Sequence, residues 1–240
     1  MSLEHSLNVP NKELYDKLLA AGADIEFKIE ANASSWFMQE KRSFAIGAPT
    51  DEVNNPAMAH ELLHVLLDLK GFWSSRHIYK FFHEQNSSFN IEFINSLSND
   101  LAHFKMLDDF IAMGYNVDEF LQQTPKQYFI DGIYLKTALL VGRHKSGAFN
   151  ICEDILEIVK LVGGAKLFEL YKIKDRSTVN GVHPDLVLNP LREINKELID
   201  GLVQLFVDWN EADTADNLQF FIRLNKFLQE NCIATAVDCV

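Results

Sequence analysis

The sequence contains few cysteines and no long hydrophobic run. Its three cysteines, Cys152, Cys232 and Cys239, lie far apart and form no Cys-x-x-Cys pair, so neither a disulfide-rich secreted scaffold nor a zinc–thiolate site is expected. No apolar stretch approaches the length of a transmembrane helix, and the N-terminal residues lack the basic and apolar regions of a secretory signal. We therefore expect a cytoplasmic protein without membrane attachment.

Basic residues are also scarce. There are 22 Lys and Arg residues against 34 Asp and Glu residues, which gives a formal net charge of −12. Such a surface repels phosphate groups, so nucleic acids and anionic lipids are not expected partners. Hydrophobic residues, in contrast, make up 48% of the 240 residues and include 18 Phe. This composition is typical of a folded globular protein with a substantial core.

Hydrophobic spacing predicts an α+β protein whose strands come early in the chain. After a first helix over residues 11–21, residues 25–30 alternate apolar and polar side chains, and residues 35–49 are typical of two short strands joined by a charged turn at 40–42. We interpret these segments as a small antiparallel sheet. Helical patterns dominate the rest of the chain, over residues 55–69, 91–113, 127–143, 149–171, 190–209 and 214–231.

Two regions follow from this order of elements. Residues 1–125 would contain the sheet and the first helices, and residues 126–240 would form a helical region packed on them. The chain is thus predicted to be a small sheet followed by a mainly helical body.

Capping residues indicate where two of the helices begin. Asn55 is predicted as the N-cap of the helix at 55–69, with Pro56 in the first helical position and Gly71 just beyond its end. Asn189 and Pro190 have the same arrangement, which predicts a helix beginning at residue 190 after a long polar loop.

The run MAHELLHVLL, Met58 to Leu67, places two histidines and a glutamate in an otherwise apolar helix. A buried helix excludes such residues unless something satisfies them. His60 and His64 are four residues apart, so their rings lie on the same helical face and can bind one metal ion. Glu61 is offset by one residue and can act as general base towards a water molecule on that ion. The pattern predicts a zinc centre that activates water.

The segment HELLHVLLD resembles the active-site helix of the zincin metallopeptidases, and of their thermolysin-like members in particular. The likeness extends to an acidic residue, Asp68, four positions after the second histidine, and its arrangement covers residues 27–116. The resemblance implies a zincin-like catalytic core within residues 1–125. Asp68 would then either orient His64 or be a solvated carboxylate at the end of the helix.

Two other families with His-Glu-x-x-His motifs fit less well. Metzincins need Gly and His where Leu67 and Lys70 stand, and deformylases have a cysteine ligand upstream, whereas no cysteine precedes His60.

A catalytic zinc ion needs a third protein ligand, and the helix at 91–113 offers candidates. Its apolar positions form a stripe at helical spacing, and Asn99, Asp100 and His103 lie beside that stripe. We predict His103 as the third ligand. Asp100 is the alternative, because its Asn-Asp pair resembles the Asn-Glu pair of thermolysin-like enzymes, and Asn99 would be an outer-sphere hydrogen-bonding partner.

Several other residues are weaker candidates for a role in the site. His77 and His83 lie in a stretch that we interpret as a connection between the two ligand helices, where histidines are mostly solvated. His183 or Tyr115 could stabilise an oxyanion, and the sequence does not choose between them. The strand at 42–48 is placed where a strand along the cleft would bind an extended substrate, or it is an ordinary edge strand.

The sequence therefore predicts a zinc-dependent metallopeptidase that acts on peptide or protein substrates. The alternative is a non-catalytic protein-binding module on a zincin fold, with a structural metal or none. A third hypothesis is a zymogen-like protein whose own loop, residues 174–189, fills the cleft. The number of protein ligands on the metal separates the first two, because a catalytic zinc retains an open position.

Overall fold

The computed structural model describes residues 6–33, 36–40, 43–85, 87, 89–120, 126–174 and 183–236. Most of the described residues are helical, and three short strands lie near the beginning of the chain, which confirms the α+β class. The elements are α1 (Val9–Ala20), β1 (Ile25–Ile29), β2 (Phe37–Glu40), β3 (Phe44–Ala48), α2 (Asn55–Leu69), α3 (Ser75–His83), α4 (Ile91–Ala112), α5 (Val117–Phe120), α6 (Lys126–Lys145), α7 (Ile151–Lys174), α8 (Asp185–Glu211) and α9 (Asn217–Ala236).

The sheet is mixed, with the strand order β1-β3-β2. β2 and β3 run antiparallel, with Phe37 opposite Gly47, whereas β1 runs parallel to β3, with Ile25 opposite Phe44. The predicted positions of the strands are confirmed, but the predicted antiparallel sheet is wrong. Alternation along one strand indicates which side chains are buried, and it carries no information about the direction of a partner strand.

β3 is the central strand, and its residues Ala45, Ile46 and Ala48 are buried. Because β1 and β2 occupy both of its sides, its backbone has no side left for a substrate. Both predictions for the strand at 42–48, a strand along a cleft and an ordinary edge strand, are therefore wrong. Residue 42 itself lies outside the described residues. Packing explains the glycine at position 47, because a Cβ there would overlap the ring of Phe37 on β2.

Helix α2 begins at an Asn cap and ends before a glycine, as predicted, but the capping Asn is one position earlier than predicted. The side chain of Asn54, and not of Asn55, caps the helix by accepting a hydrogen bond from the Ala57 amide at 3.0 Å. The carbonyl of Asn55 instead accepts from Asn11 Nδ2 at 2.9 Å, which ties the start of α2 to α1. Gly71 takes the expected left-handed conformation, with φ +94°, just beyond the helix end.

Helix α3 differs from the sequence prediction, which interprets residues 75–83 as part of a connection. Its buried residues are Ile78 and Phe82, which lie four positions apart on one face. His77 and His83 are exposed on this helix.

Helix α8 begins at Asp185, so the predicted start at residue 190 is wrong and Pro190 lies inside the helix. The helix is interrupted at Asn195, whose backbone is extended (φ −155°, ψ 100°). The side chain of Asn195 accepts a hydrogen bond from the Leu198 amide at 3.0 Å and thus caps the second part of the helix. The Asn189 side chain accepts from Arg192 Nη1 instead of capping a helix.

Close packing divides the chain into two units, residues 1–74 with 105–126 and residues 75–104 with 127–240. The division falls within α4, whose residues contribute to both units. The predicted boundary of folding domains at residue 125 stays a prediction.

In the first unit, α2 packs against α1, β2, β3 and α5. In the second unit, α7 packs against α8 and α9, and α8 packs against α9. Buried Phe rings join α3, α4 and α9: Phe82 contacts Phe221, and Phe89 contacts both of them and Phe93. None of the described helices combines the length and the apolar character needed to cross a membrane.

Candidate metal centre

The His-Glu-x-x-His motif lies in the middle of α2, and its first two residues are buried. His60 is 7% exposed and Glu61 is 4% exposed, while Leu62 and Leu63 fill the positions that follow. Ionisable groups in such surroundings are stable only when they are bonded to a partner. That α2 is the helix of an active site stays a prediction.

The two motif histidines face each other through the same ring nitrogen. Their Nε2 atoms are 3.2 Å apart, and their ring centroids are 5.0 Å apart. Two imidazole ligands on one tetrahedral zinc ion, each at ~2.0–2.1 Å, have nitrogen atoms separated by ~3.3–3.4 Å. The pair therefore already has the separation that a shared metal ion requires.

His60 is held by an aromatic neighbour that the sequence did not reveal. The ring of Phe120, on the short helix α5, lies 4.7 Å from the His60 ring, centroid to centroid. Phe120 is itself buried and packs edge-on against Phe110 of α4 at 4.9 Å. These contacts restrict the rotation of the His60 ring.

His103 on α4 completes a group of three histidines. One ring nitrogen from each of His60, His64 and His103 can be chosen so that all three lie within 4.8 Å of one another. The three residues are thus close enough to hold a metal ion. Within the described part of the chain, no other set of three His, Cys, Asp or Glu residues is arranged in this way.

The protonation state of His64 favours metal coordination. Burial lowers the pKa of its imidazole from 6.5 to about 4, because the charged form loses its hydration. At neutral pH the ring is therefore neutral, and only a neutral imidazole has a lone pair to give to a metal.

Asp100, the alternative third ligand, is not a member of this group. Burial raises the pKa of its carboxyl to about 7, against the opposing effect of the Lys160 charge. The charge of Asp100 also acts on Tyr171 of α7. Asn99 is exposed on α4, and its predicted outer-sphere role stays a prediction.

Tyr171 of α7 is a polar neighbour of His103. Its hydroxyl oxygen lies 3.4 Å from His103 Nδ1, and its side chain is 1% exposed. Burial raises the pKa of the phenol well above its usual value, and the charge of Asp100 raises it further, so Tyr171 is a neutral phenol. The apolar pattern of α7 indicates that Tyr171 is buried, but no sequence signal pairs it with His103.

The position of α4 near His103 is also fixed by a buried hydrogen bond. Trp209 Nε1 on α8 donates to the carbonyl oxygen of Leu101 at 3.1 Å. Both groups are buried, so this bond holds α4 against α8 two residues before His103.

Tyr115, one of the two candidates for an oxyanion donor, has a structural role. Its hydroxyl accepts from Asn8 Nδ2 at 2.9 Å and donates to the side-chain oxygen of Asn11 at 3.0 Å. Asn11 is fully buried, so these bonds fasten α1 to the segment after α4. An oxyanion would have to replace Asn11 as the acceptor.

The remaining candidates lie outside the histidine group. His183 is exposed, with its Nδ1 3.3 Å from Lys172 Nζ, and His77 and His83 are exposed on α3. Asp68 is half-buried one turn after His64, and the prediction that it orients this ring stays a prediction. Most of the loop at 174–189 that was proposed to fill a cleft lies outside the described residues.

Comparison with known protein families, with curated proteins and with solved structures finds no match. The resemblance to zincins stays a prediction from the sequence motif.

Proposed function

We propose that the protein is a cytoplasmic zinc-dependent metallopeptidase. In this proposal His60, His64 and His103 bind the zinc ion, and Glu61 is the general base. Two observations carry it: the Nε2 atoms of His60 and His64 are 3.2 Å apart, and one ring nitrogen from each of the three histidines lies within 4.8 Å of the other two.

The donor set favours zinc among the common metals. Three imidazoles suit zinc better than magnesium or calcium, which prefer oxygen ligands. Three protein ligands are also the number found in catalytic zinc sites, which keep the fourth position open. A zinc ion bound here would activate a water molecule and polarise the carbonyl of the bond to be cleaved.

In this proposal Glu61 and Phe120 have different roles in hydrolysis. Glu61, between the two ligands in sequence, would take a proton from the attacking water molecule and deliver it to the leaving amine. Its burial in α2 excludes bulk water from the carboxylate, which strengthens its interaction with nearby charge. Phe120 would hold the His60 ring during these steps.

Peptides or proteins are the proposed substrates, because an activated water with a general base is the arrangement by which the motif hydrolyses amide bonds. The net charge of −12 would favour the approach of neutral or cationic substrates over anionic ones. The cytoplasm is the proposed location, since the three dispersed cysteines give no sign of a disulfide framework.

One observation favours the second candidate, a non-catalytic module that binds a protein partner. The Tyr115 hydroxyl, which was an oxyanion candidate, is engaged by Asn8 and Asn11. In that case the histidine group would hold a structural metal, and a fourth protein ligand would close its coordination.

Zinc content and peptide cleavage together test the proposal. The wild type, His103→Ala and His83→Ala are purified in parallel without added metal, and zinc per chain is measured by elemental analysis. We expect about one zinc ion per chain in the wild type and in the His83→Ala control, whose exposed histidine lies outside the group, and much less in His103→Ala.

Glu61→Gln then separates the two candidates. We expect this variant to keep its zinc ion and to lose cleavage of a peptide library that the wild type cleaves, because the amide cannot accept the proton. Zinc binding by a wild type that cleaves no peptide would favour the binding module. A wild type that binds no zinc after reconstitution would overturn both versions of the metal site.

A further inference from the structure

His103 and Tyr171 form a contact whose geometry bears on how the third ligand is held. The Tyr171 hydroxyl oxygen lies 3.4 Å from Nδ1 of His103, which leaves Nε2 as the ring nitrogen for a metal ion. Tyr171 is 1% exposed in a helix of 24 residues, so its ring cannot turn away from this position without disturbing the core.

The chemistry of imidazole makes this position significant. A neutral ring carries one proton, and the nitrogen that binds a metal must be the other one. When Nε2 binds the metal, Nδ1 carries the proton and needs an acceptor. Histidine ligands in metalloproteins almost always have such an acceptor, which fixes both the tautomer and the ring orientation.

We infer that Tyr171 is the positioning residue for His103: its hydroxyl oxygen accepts a hydrogen bond from Nδ1–H and thereby directs Nε2 towards the metal. The inference rests on the proposed function, because it assigns a role within the same metal site. Carboxylates and backbone carbonyls are the common acceptors for the N–H of a histidine ligand, so a buried phenol in this role is unusual.

Metal affinity in the full-length protein tests the inference. Tyr171→Phe removes the oxygen and keeps the ring, and zinc affinity is measured by competition with a chromophoric chelator. We expect affinity to fall by about 10- to 100-fold, as for other losses of an outer-sphere partner. The matched control is Tyr134→Phe, which removes a hydroxyl from α6 in the same packing unit and is expected to leave the zinc affinity within about 2-fold of the wild type.

A double-mutant cycle distinguishes positioning from a general loss of structure. Tyr171→Phe is combined with His103→Ala, and the affinity of the remaining two-histidine site is measured. If Tyr171 acts through His103, adding Tyr171→Phe to His103→Ala should change this residual zinc affinity by less than about 2-fold. An equal loss of affinity in both backgrounds would overturn the inference.

The tautomer of His103 gives a readout that needs no variant. In ¹⁵N NMR spectra of the zinc-loaded wild type, we expect Nδ1 of His103 to be protonated and Nε2 to be metal-bound. Metal bound to Nδ1 would overturn the inference, even if Tyr171→Phe fails to fold.

The inference and the proposed function fail in different ways. A wild type that binds no zinc overturns the proposed function. A wild type that binds zinc, together with a Tyr171→Phe variant of equal affinity, overturns the inference alone.

Discussion

The ring of Phe120 lies against the ring of His60, with 4.7 Å between their centroids and 42° between their planes. Phe120 also packs on Phe110 of α4, so one buried side chain connects the short helix α5 with the motif helix and with α4. This contact couples the stability of the first unit to the orientation of a proposed zinc ligand.

Phe120→Ala is therefore expected to weaken both folding and metal binding. Removing a buried Phe ring lowers the free energy of unfolding by about 3 kcal/mol through lost burial and the cavity left behind. The His60 ring would also gain freedom to rotate, which lowers zinc affinity. Urea denaturation with and without zinc measures both effects. Phe81→Ala, at a half-buried site on α3, is the control, and equal losses of zinc affinity in the two variants would contradict the prediction.

His64 and Asp100, which are both half-buried, are expected to give the metal-free protein opposite pH dependences. The pKa of His64 is lowered to about 4 by burial, so between pH 4 and 6.5 the unfolded state binds the extra proton and stability rises with pH. The pKa of Asp100 is raised to about 7 by burial, so between pH 4 and 7 the folded state holds the extra proton and stability falls as pH rises. Each group contributes a slope of at most ~1.4 kcal/mol per pH unit, so the two largely cancel.

Single variants separate these two contributions. In Asp100→Asn, stability between pH 4.5 and 6.5 should increase with pH more steeply than in the wild type, because His64 remains. In His64→Gln it should decrease with pH, because Asp100 remains. Urea midpoints measured at half-unit pH intervals check both slopes, and parallel curves for all three proteins would contradict the assignment of the two groups.

Gly47 and Phe37 form a cross-strand pair whose members should depend on each other. Phe37 lies directly opposite Gly47, and a Cβ on Gly47 would overlap its ring. Gly47→Ala is expected to lower the free energy of unfolding by about 1–3 kcal/mol through overpacking. In a Phe37→Ala background the same change should have little effect, because the ring is gone. Additive losses in chemical denaturation would show that the two residues do not interact.

Local spacing was enough to predict some features of this protein. The positions of the three strands, the bounds of α4 and the left-handed glycine after α2 all depend on residues that are close in sequence. The grouping of His60, His64 and His103 could also be predicted, because His-x-x-x-His on a helix fixes two ligands and the flank of α4 offered a third.

Other features depend on residues that are distant in sequence, and local patterns could not reveal them. The parallel pairing of β1 with β3 is decided by how the chain crosses from one side of the sheet to the other. The contacts of Phe120 with His60 and of Tyr171 with His103 join elements separated by 60 and 68 residues, as the numbering shows. Helix α3 was missed because its only buried residues are Ile78 and Phe82, which is too short a pattern to predict a helix.

The buried carboxylate of Asp154 is expected to matter for stability and not for metal binding. Asp154 is 4% exposed, and it accepts hydrogen bonds from Arg143 Nη1 at 2.6 Å and from the Asn150 amide at 3.2 Å. These bonds connect the end of α6 to the start of α7. Asp154→Ala removes both hydrogen bonds and should lower the free energy of unfolding by about 2 kcal/mol. The loss is not larger because the Arg143 side chain is half-exposed and remains hydrated.

Asp154→Asn serves as the comparison, because its amide oxygen can still accept one of these hydrogen bonds, and we expect a smaller loss than for alanine. Zinc content and zinc affinity should equal those of the wild type in both variants, since Asp154 is not a member of the histidine group. Thermal unfolding and elemental analysis on the same samples check the two expectations together. A loss of zinc in Asp154→Ala at temperatures where the protein is still folded would mean that the α6–α7 connection influences the metal centre, and the separation of stability from metal binding would then be wrong.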